Sequence, residues 1–191
     1  QHPYFTEETV QKERGIITQE IRMGEDSPSR RVLFNLLRAL YSRHPVRVDI
    51  AGTVESIAEI TPELLYGCYR AFYDLHNMVL TVAGNATKEQ VQAVADRLLK
   101  PQPGGRPSRA PVDEPYAATQ PRAESRMPVS KPLFYLGFKD HIPGGTAPRT
   151  AAQQAAAGVL FELIAGLASP LYNRLMERGL INDTFDTGYF H

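Results

Sequence analysis

Two glutamates, Glu13 and Glu20, are the residues whose type and spacing could do chemistry. They stand seven positions apart, so on a helix both carboxylates would lie on nearly the same face. A carboxylate buried without a partner is unfavourable, and a bound cation or a catalytic water would relieve that penalty. The alternative is a half-buried face at whose edge both acids reach water. None of the positions three or four away holds a lysine or arginine: Thr9, Val10, Ile16, Ile17, Met23 and Gly24.

The element that must position these glutamates is a helix at the start of the chain. Thr6, followed by Glu7 and Glu8, is typical of a helix N-cap with acids in the first turn, and the helix should run to about Met23. Capping residues and apolar periodicity predict further helices at about 29–42, 53–57, 62–73, 87–99, 148–165 and 169–178. β-Branched or apolar runs predict strands at 77–84, 133–139 and 184–190. A strand followed by a capped helix is typical of a layered domain built from both kinds of element.

Prolines divide the chain. Eight of its fifteen prolines fall between Pro101 and Pro132, which predicts an extended linker at residues 101–132. Residues 1–100 then form the end of one domain, and residues 133–191 form the beginning of a second.

Composition excludes several classes of function. The 21 Lys and Arg residues balance the 21 Asp and Glu residues, so no overall charge attracts nucleic acid or an anionic membrane. No apolar run approaches the roughly 20 residues that would cross a bilayer. The single cysteine, Cys68, excludes an internal disulfide and is expected to be a small buried hydrophobic residue. Because residue 1 is Gln, we expect the natural N-terminus to lie further upstream.

Several segments together resemble the insulinase, pitrilysin and mitochondrial-processing-peptidase family of zinc metallopeptidases, and most resemble its bacterial, YmfH-like branch. KERGIITQEI at residues 12–21 is similar to the family's second zinc-site helix. The resemblance continues through His44-Pro45, GTVESI at 52–57, ITPE at 60–63, NMVLTVAG at 77–84 and SPLYNRLMERGLI at 169–181. It covers nearly the whole chain, and it implies the family's α+β fold, in which helices pack on an antiparallel sheet, with only part of that fold present here.

The resemblance implies a role for each glutamate. Glu20 matches the third zinc ligand, and Glu13 matches an acid that supports the site. It also implies that residues 1–100 belong to the zinc-side domain and residues 133–191 to a homologous second domain. The full-length protein would use zinc and a metal-bound water to cleave peptides or small proteins in the bacterial cytoplasm. The resemblance also allows a homologous partner subunit.

The sequence departs from the family pattern at two places. The family's H-x-x-E-H helix is absent, and no two of the five histidines stand four apart: His2, His44, His76, His141 and His191. We expect that helix to precede residue 1, so the chain alone should be inactive and without zinc. The family's Arg-x6-Tyr substrate-binding pair is also missing, because Ile181 stands seven residues after Arg174 and Phe185 seven after Arg178. Either that role is absent here or a partner subunit supplies it, and Tyr189 is only a weak substitute.

Two other interpretations stay open. The chain could belong to a non-catalytic family member that serves as a scaffold or partner subunit. It could instead be a peptide-binding module that adds a strand of its client to a sheet edge. An H-x-x-E-H motif encoded about seventy to eighty residues before Glu20 would favour the peptidase over the scaffold.

Overall fold

The computed structural model describes residues 2–100, 105, 107, 108, 110–140 and 147–190. The α-helices within these residues are α1 (Glu7–Glu25), α2 (Pro28–Leu40), α3 (Val54–Ala58), α4 (Pro62–Phe72), α5 (Lys88–Leu98), α6 (Ala147–Ala165) and α7 (Pro170–Glu177). Short 3-10 turns span Pro45–Arg47 and Leu75–Asn77. Each predicted helix is confirmed, with ends that differ from the prediction by about two residues.

The helix starts follow from local sequence. Thr6 accepts a hydrogen bond from the Thr9 backbone N–H at 3.2 Å, and Thr61 and Thr87 accept in the same way three residues on, at 3.2 and 3.3 Å. A hydroxyl at the N-cap satisfies a backbone donor that has no partner inside the helix. Because donor and acceptor lie three residues apart, the sequence alone is enough to place these helix ends.

The predicted α+β fold is wrong for the described part of the chain, which is helical and contains no strand or sheet. The three predicted strands, at 77–84, 133–139 and 184–190, have no hydrogen-bonded neighbour there. Most of their apolar side chains lie in solvent, with Val79 92% and Phe134 80% exposed. β-Propensity favours an extended backbone, but a strand also needs a partner across a ladder. The described residues therefore offer no sheet edge to which a strand of a client could be added.

The chain forms two compact units, Gln1–Lys139 and Asp140–His191. In the first unit α1 packs against α2 and α3. The buried apolar side chains of these three helices include Val10, Ile21, Ala39 and Ile57, each 5–6% exposed. Cys68, predicted to be buried, is exposed on α4.

The proline-rich segment contacts α2 in its described part. The backbone N–H groups of Thr119 and Gln120 both donate to the Ala39 carbonyl, at 2.8 and 3.1 Å. Asn35 Nδ2 donates to Ser125 Oγ at 2.8 Å. The two bonds from Thr119 and Gln120 satisfy the Ala39 carbonyl in the last turn of α2, which has no partner within the helix. The division into homologous domains joined by a linker at 101–132 stays a prediction, and residues 101–104, 106 and 109 of that linker lie outside the described structure.

In the second unit α6 packs against α7. Ser169, 4% exposed, caps α7 by accepting from the Tyr172 N–H at 3.1 Å. The Tyr172 and Phe185 rings lie 6.0 Å apart. No single helix of the described residues is long and apolar enough to cross a membrane; α6 and α7 meet the length and composition only as a pair bent by 46°.

Candidate metal-ligand site

Helix α1 carries both glutamates singled out by the sequence. Glu13 and Glu20 are exposed, and neither side chain has a hydrogen bond or ion pair among the described residues. Seven residues of α-helix rise about 10 Å, so the two side chains share a face but start two turns apart. That separation suits one metal ligand and one supporting acid better than two ligands of the same ion.

The side chains around Glu13 and Glu20 are more exposed to solvent than the sequence suggested. Ile16 and Met23, which lie on the same face, are 45% and 67% exposed. Both carboxylates are therefore hydrated by solvent in this chain, as the alternative interpretation expected. The argument from a buried, unpaired carboxylate does not apply to the chain by itself. What remains is an unpartnered carboxylate at position 20, free to accept an incoming ligand.

The described residues do not by themselves fit a zinc ion, because they contain no group of three or more His, Cys, Asp or Glu side chains that could hold a metal. His44 Nδ1 accepts from the Val46 N–H at 3.2 Å, and His76 Nδ1 lies 2.7 Å from Asp74 Oδ1. Both histidines therefore have local structural contacts. His141 and His191 lie outside the described residues. Glu20 can offer one carboxylate of the three protein ligands that a catalytic zinc site usually uses.

Arg14 fixes the position of α1, and sequence spacing did not reveal it. Its guanidinium donates to Gln11 Oε1 at 3.1 Å and to the carbonyl of Ile60, just before α4. Its Nε is buried and has no hydrogen-bond partner in the described structure. Arg14 follows Glu13 directly, so this hydrogen bond joins the middle of α1 to the chain just before α4. The contact joins residues 46 positions apart, so no local pattern could signal it.

A small cavity of about 130 Å³ lies beside α1 and was also missed by the sequence. Its lining combines the C-terminal turns of α1 with three arginines of α2 and with residues before α3. Arg30 Nε donates to Asp49 Oδ2 at 2.6 Å, and its Nη2 donates to Asp49 Oδ1. This paired hydrogen bond lowers the pKa of Asp49, although partial burial opposes the shift. The residues that matter below are Ile21, Gly24, Arg30, Arg31, Arg38 and Asp49.

Among the described residues, the carboxylate that accepts the most hydrogen bonds belongs to Glu114, in the proline-rich segment. It accepts from the backbone N–H groups of Ser42, Arg43 and His44 at 2.9, 2.6 and 2.7 Å, and from Lys139 Nζ at 2.8 Å. Burial favours protonation, but the lysine and the three backbone donors outweigh it, so the pKa of Glu114 lies far below its ordinary value. The Lys139 ammonium also lies 4.8 Å from the centre of the Tyr41 ring. This cluster joins the segment to the end of α2.

The residues at the positions where the family has its Arg-x6-Tyr pair lie in the second unit. Arg174 is an exposed residue of α7, and Ile181 follows that helix. The Tyr189 hydroxyl donates to Asp140 Oδ2 at 3.0 Å.

Known proteins similar to this chain are named as zinc proteases. The chain is 40% identical over 190 residues to the uncharacterized zinc protease YmfH of Bacillus subtilis, a match that covers 97% of this chain and 44% of the relative. It is 30% identical over 179 residues to an uncharacterized zinc protease of Mycobacterium leprae, covering 90% of this chain and 38% of that protein. The chain therefore spans less than half the length of these relatives.

A solved structure shares both fold and sequence with the chain. The crystal structure of an M16-like peptidase from Alicyclobacillus acidocaldarius aligns with a TM-score of 0.82 and 34% identity, over 98% of this chain and 45% of that one. The family model described as the peptidase M16 inactive domain matches residues 59–187, which begin after α1. Since this match covers more than half of the chain, the resemblance found in the sequence is confirmed, and the chain belongs to the M16 peptidase family.

Proposed function

We propose that the chain is part of a zinc-dependent metalloendopeptidase, in which Glu20 supplies one metal ligand and Glu13 supports the site. The observation that carries the proposal is the exposed, unpartnered carboxylate of Glu20 on α1, in a chain 40% identical to a protein named as a zinc protease. The other metal ligands must come from outside the described residues, which hold no complete metal group.

The substrate, location and domain division belong to the same proposal. Membership of a peptidase family makes peptides or small proteins the expected substrates. The full-length protein would act in the bacterial cytoplasm, in line with its bacterial relatives. Residues 1–100 would form the C-terminal part of its zinc-side domain. Residues 101–132 would be the linker, and residues 133–191 would form the start of a homologous second domain.

A second candidate is a non-catalytic family member that acts as a scaffold or as the partner subunit of a heterodimer. The description of the matched domain as inactive favours it. The two candidates differ in one sequence feature of the full-length protein. An H-x-x-E-H motif about seventy to eighty residues before Glu20 supports the peptidase, whereas its absence supports the partner subunit.

The decisive experiment compares three substitutions in the full-length protein. Glu20→Gln should lose most of the zinc and most of the peptide turnover. Glu13→Gln should retain most of the zinc, while its rate falls by roughly 10–100-fold, as expected when a supporting group is removed. Glu8→Gln is the control, because Glu8 is an exposed acid of α1 away from this face. Zinc is measured by elemental mass spectrometry and turnover with a fluorogenic peptide.

Full zinc content and full rate in both the Glu20 and Glu13 variants would contradict the proposal. The 191-residue chain provides an independent test. It should show neither peptide turnover nor tight zinc binding, because a single carboxylate does not make a catalytic site. Turnover by this chain that a chelator abolishes would show that the ligand assignment is wrong.

A further inference from the structure

The cavity beside α1 is lined by three arginines of α2, Arg30, Arg31 and Arg38. They differ in how far their hydrogen-bond donors are already used. Arg30 already uses two of its donors, because its Nε and Nη2 both donate to Asp49. Arg31 makes one long bond, from Nη2 to the Glu25 carbonyl at 3.4 Å. Arg38 makes no hydrogen bond or ion pair within the described part of the chain.

Arg38 lies over an aromatic ring. Its guanidinium carbon lies 5.8 Å from the centre of the Phe34 ring, and that of Arg30 lies at the same distance. An aromatic ring attracts a cation over its face, which restricts the side chain while leaving its N–H groups available. Arg38 therefore has five N–H donors that make no hydrogen bond among the described residues, although its charge also acts on Asp49.

The charges of the lining leave a local excess. The three arginines face two carboxylates, Glu25 and Asp49, so the cavity has a net charge of +1 although the whole chain is neutral. Asp49 is also occupied, since it accepts from Arg30 and from the Ala51 backbone N–H at 3.0 Å. Arginine donors that surround a small cavity suit a planar anion, which a guanidinium binds through two parallel hydrogen bonds.

The cavity lies next to the candidate metal ligand. Ile21 and Gly24, which follow Glu20 by one and four residues, both line it. Gly24 lies one turn beyond Glu20 on the same side of α1, about 6 Å along the helix axis. An extended peptide spans about 3.3 Å per residue, so a peptide at Glu20 would reach the cavity within two or three residues.

We propose that this cavity binds a carboxylate of a peptide ligand through Arg38 and Arg31. The carboxylate comes from an acidic side chain or from the peptide C-terminus, which present the same chemistry. The cavity and its donors stand independently of any metal, while the choice of a peptide as the ligand rests on the proposed function.

The test is calorimetric titration of the 191-residue chain, without zinc, in about 0.1 M salt to limit non-specific attraction. Three unlabelled peptides share one neutral sequence: one is acetylated and amidated, one is capped in the same way but contains a single glutamate, and one has a free C-terminal carboxylate. At least one carboxylate peptide should bind about tenfold more tightly than the neutral capped peptide. Which of the two does so identifies the source of the carboxylate.

Substitutions then locate the binding. Arg38→Gln should weaken binding of the preferred peptide about tenfold. Arg97→Gln, which removes the same charge from an exposed position on α5, should leave it unchanged. Arg38→Lys should recover only part of the affinity, because lysine keeps the charge but not the paired donors. Circular dichroism checks that each variant is folded, and Arg31→Gln is the second variant if Arg38→Gln unfolds.

Equal affinity for all three peptides would overturn the proposal. So would equal losses in the Arg38 and Arg97 variants, because they would show attraction by net charge alone. Neither result depends on zinc, so failure here is distinguishable from failure of the peptidase assignment. Loss of zinc and activity in the Glu20 variant together with uniform peptide binding would reject the cavity and retain the peptidase.

Discussion

Glu114 and Glu20 have the same side chain and lie in the same compact unit, but their environments are opposite. Glu114 accepts three backbone hydrogen bonds and one from Lys139, and its side chain is 12% exposed. Glu20 is exposed on α1 and has no partner among the described residues. One carboxylate therefore has all of its hydrogen-bonding capacity used inside the fold, whereas the other has all of it available.

This difference teaches where function should be sought in the chain. With the Ser42 hydroxyl at 3.4 Å as a fifth protein donor, the Glu114 carboxylate is a structural anchor, because displacing a donor would leave a buried polar group unsatisfied. A carboxylate without protein donors, such as that of Glu20, contributes little to the stability of the fold. It can bind a ligand without loss of an existing hydrogen bond. The comparison predicts that stability depends on Glu114, and that metal binding and activity of the full-length protein depend on Glu20.

The largest effect on stability is expected for Glu114→Gln. The amide keeps one acceptor but loses the charge that compensates Lys139, whose side chain is only 7% exposed. Its NH2 group would also face backbone N–H donors, so one contact becomes repulsive. We expect a fall of several degrees in the midpoint of thermal unfolding, measured by circular dichroism. Glu124→Gln is the control, since Glu124 pairs with Arg122 at the surface and should change the midpoint little.

The acid dependence of stability should follow the same anchor. The pKa of Glu114 is lower in the folded chain than its ordinary value of about 4.3. Below that pH the unfolded chain binds the proton more readily than the folded chain does. The stabilisation is therefore complete at neutral pH and is lost as the pH falls from the ordinary value towards the folded one.

Urea unfolding at a series of pH values measures this dependence. The native sequence should lose stability progressively as the pH falls below about 5, and Glu114→Gln should show a shallower loss over the same range. Asp49, whose pKa is lowered by Arg30, retains its own smaller contribution in both proteins. An identical slope in the variant would mean that Glu114 is not held as the structure shows.

The smallest effect on stability is expected for Glu20→Gln in the 191-residue chain. An exposed side chain with no partner contributes little, so the free energy of unfolding should change by less than about 0.5 kcal/mol. The same substitution in the full-length protein is expected to remove most of the zinc. A large destabilisation of the chain by Glu20→Gln would give Glu20 a structural role and would end the contrast with Glu114.

The sequence by itself determined the helices and the family. Thr6, Ser27, Thr61, Thr87 and Ser169 cap the helices predicted to begin there, because a cap depends on donors only three residues away. Glu13 and Glu20 also lie on nearly the same face of α1, as predicted, since helical geometry places residues seven apart on one face. The family resemblance rests on such local segments in a fixed order, and the comparisons confirmed it.

Only the tertiary structure decided which side chains have partners. It showed that the runs around Val79 and Phe134 lack a neighbouring strand in the described chain, which apolar patterning could not reveal. It brought Glu114 to residues 70–72 positions earlier and Arg30 to a residue 19 positions later. The physical reason is that burial, ladder pairing and ion pairing depend on segments distant in sequence, whereas capping and helical spacing are complete within a few residues.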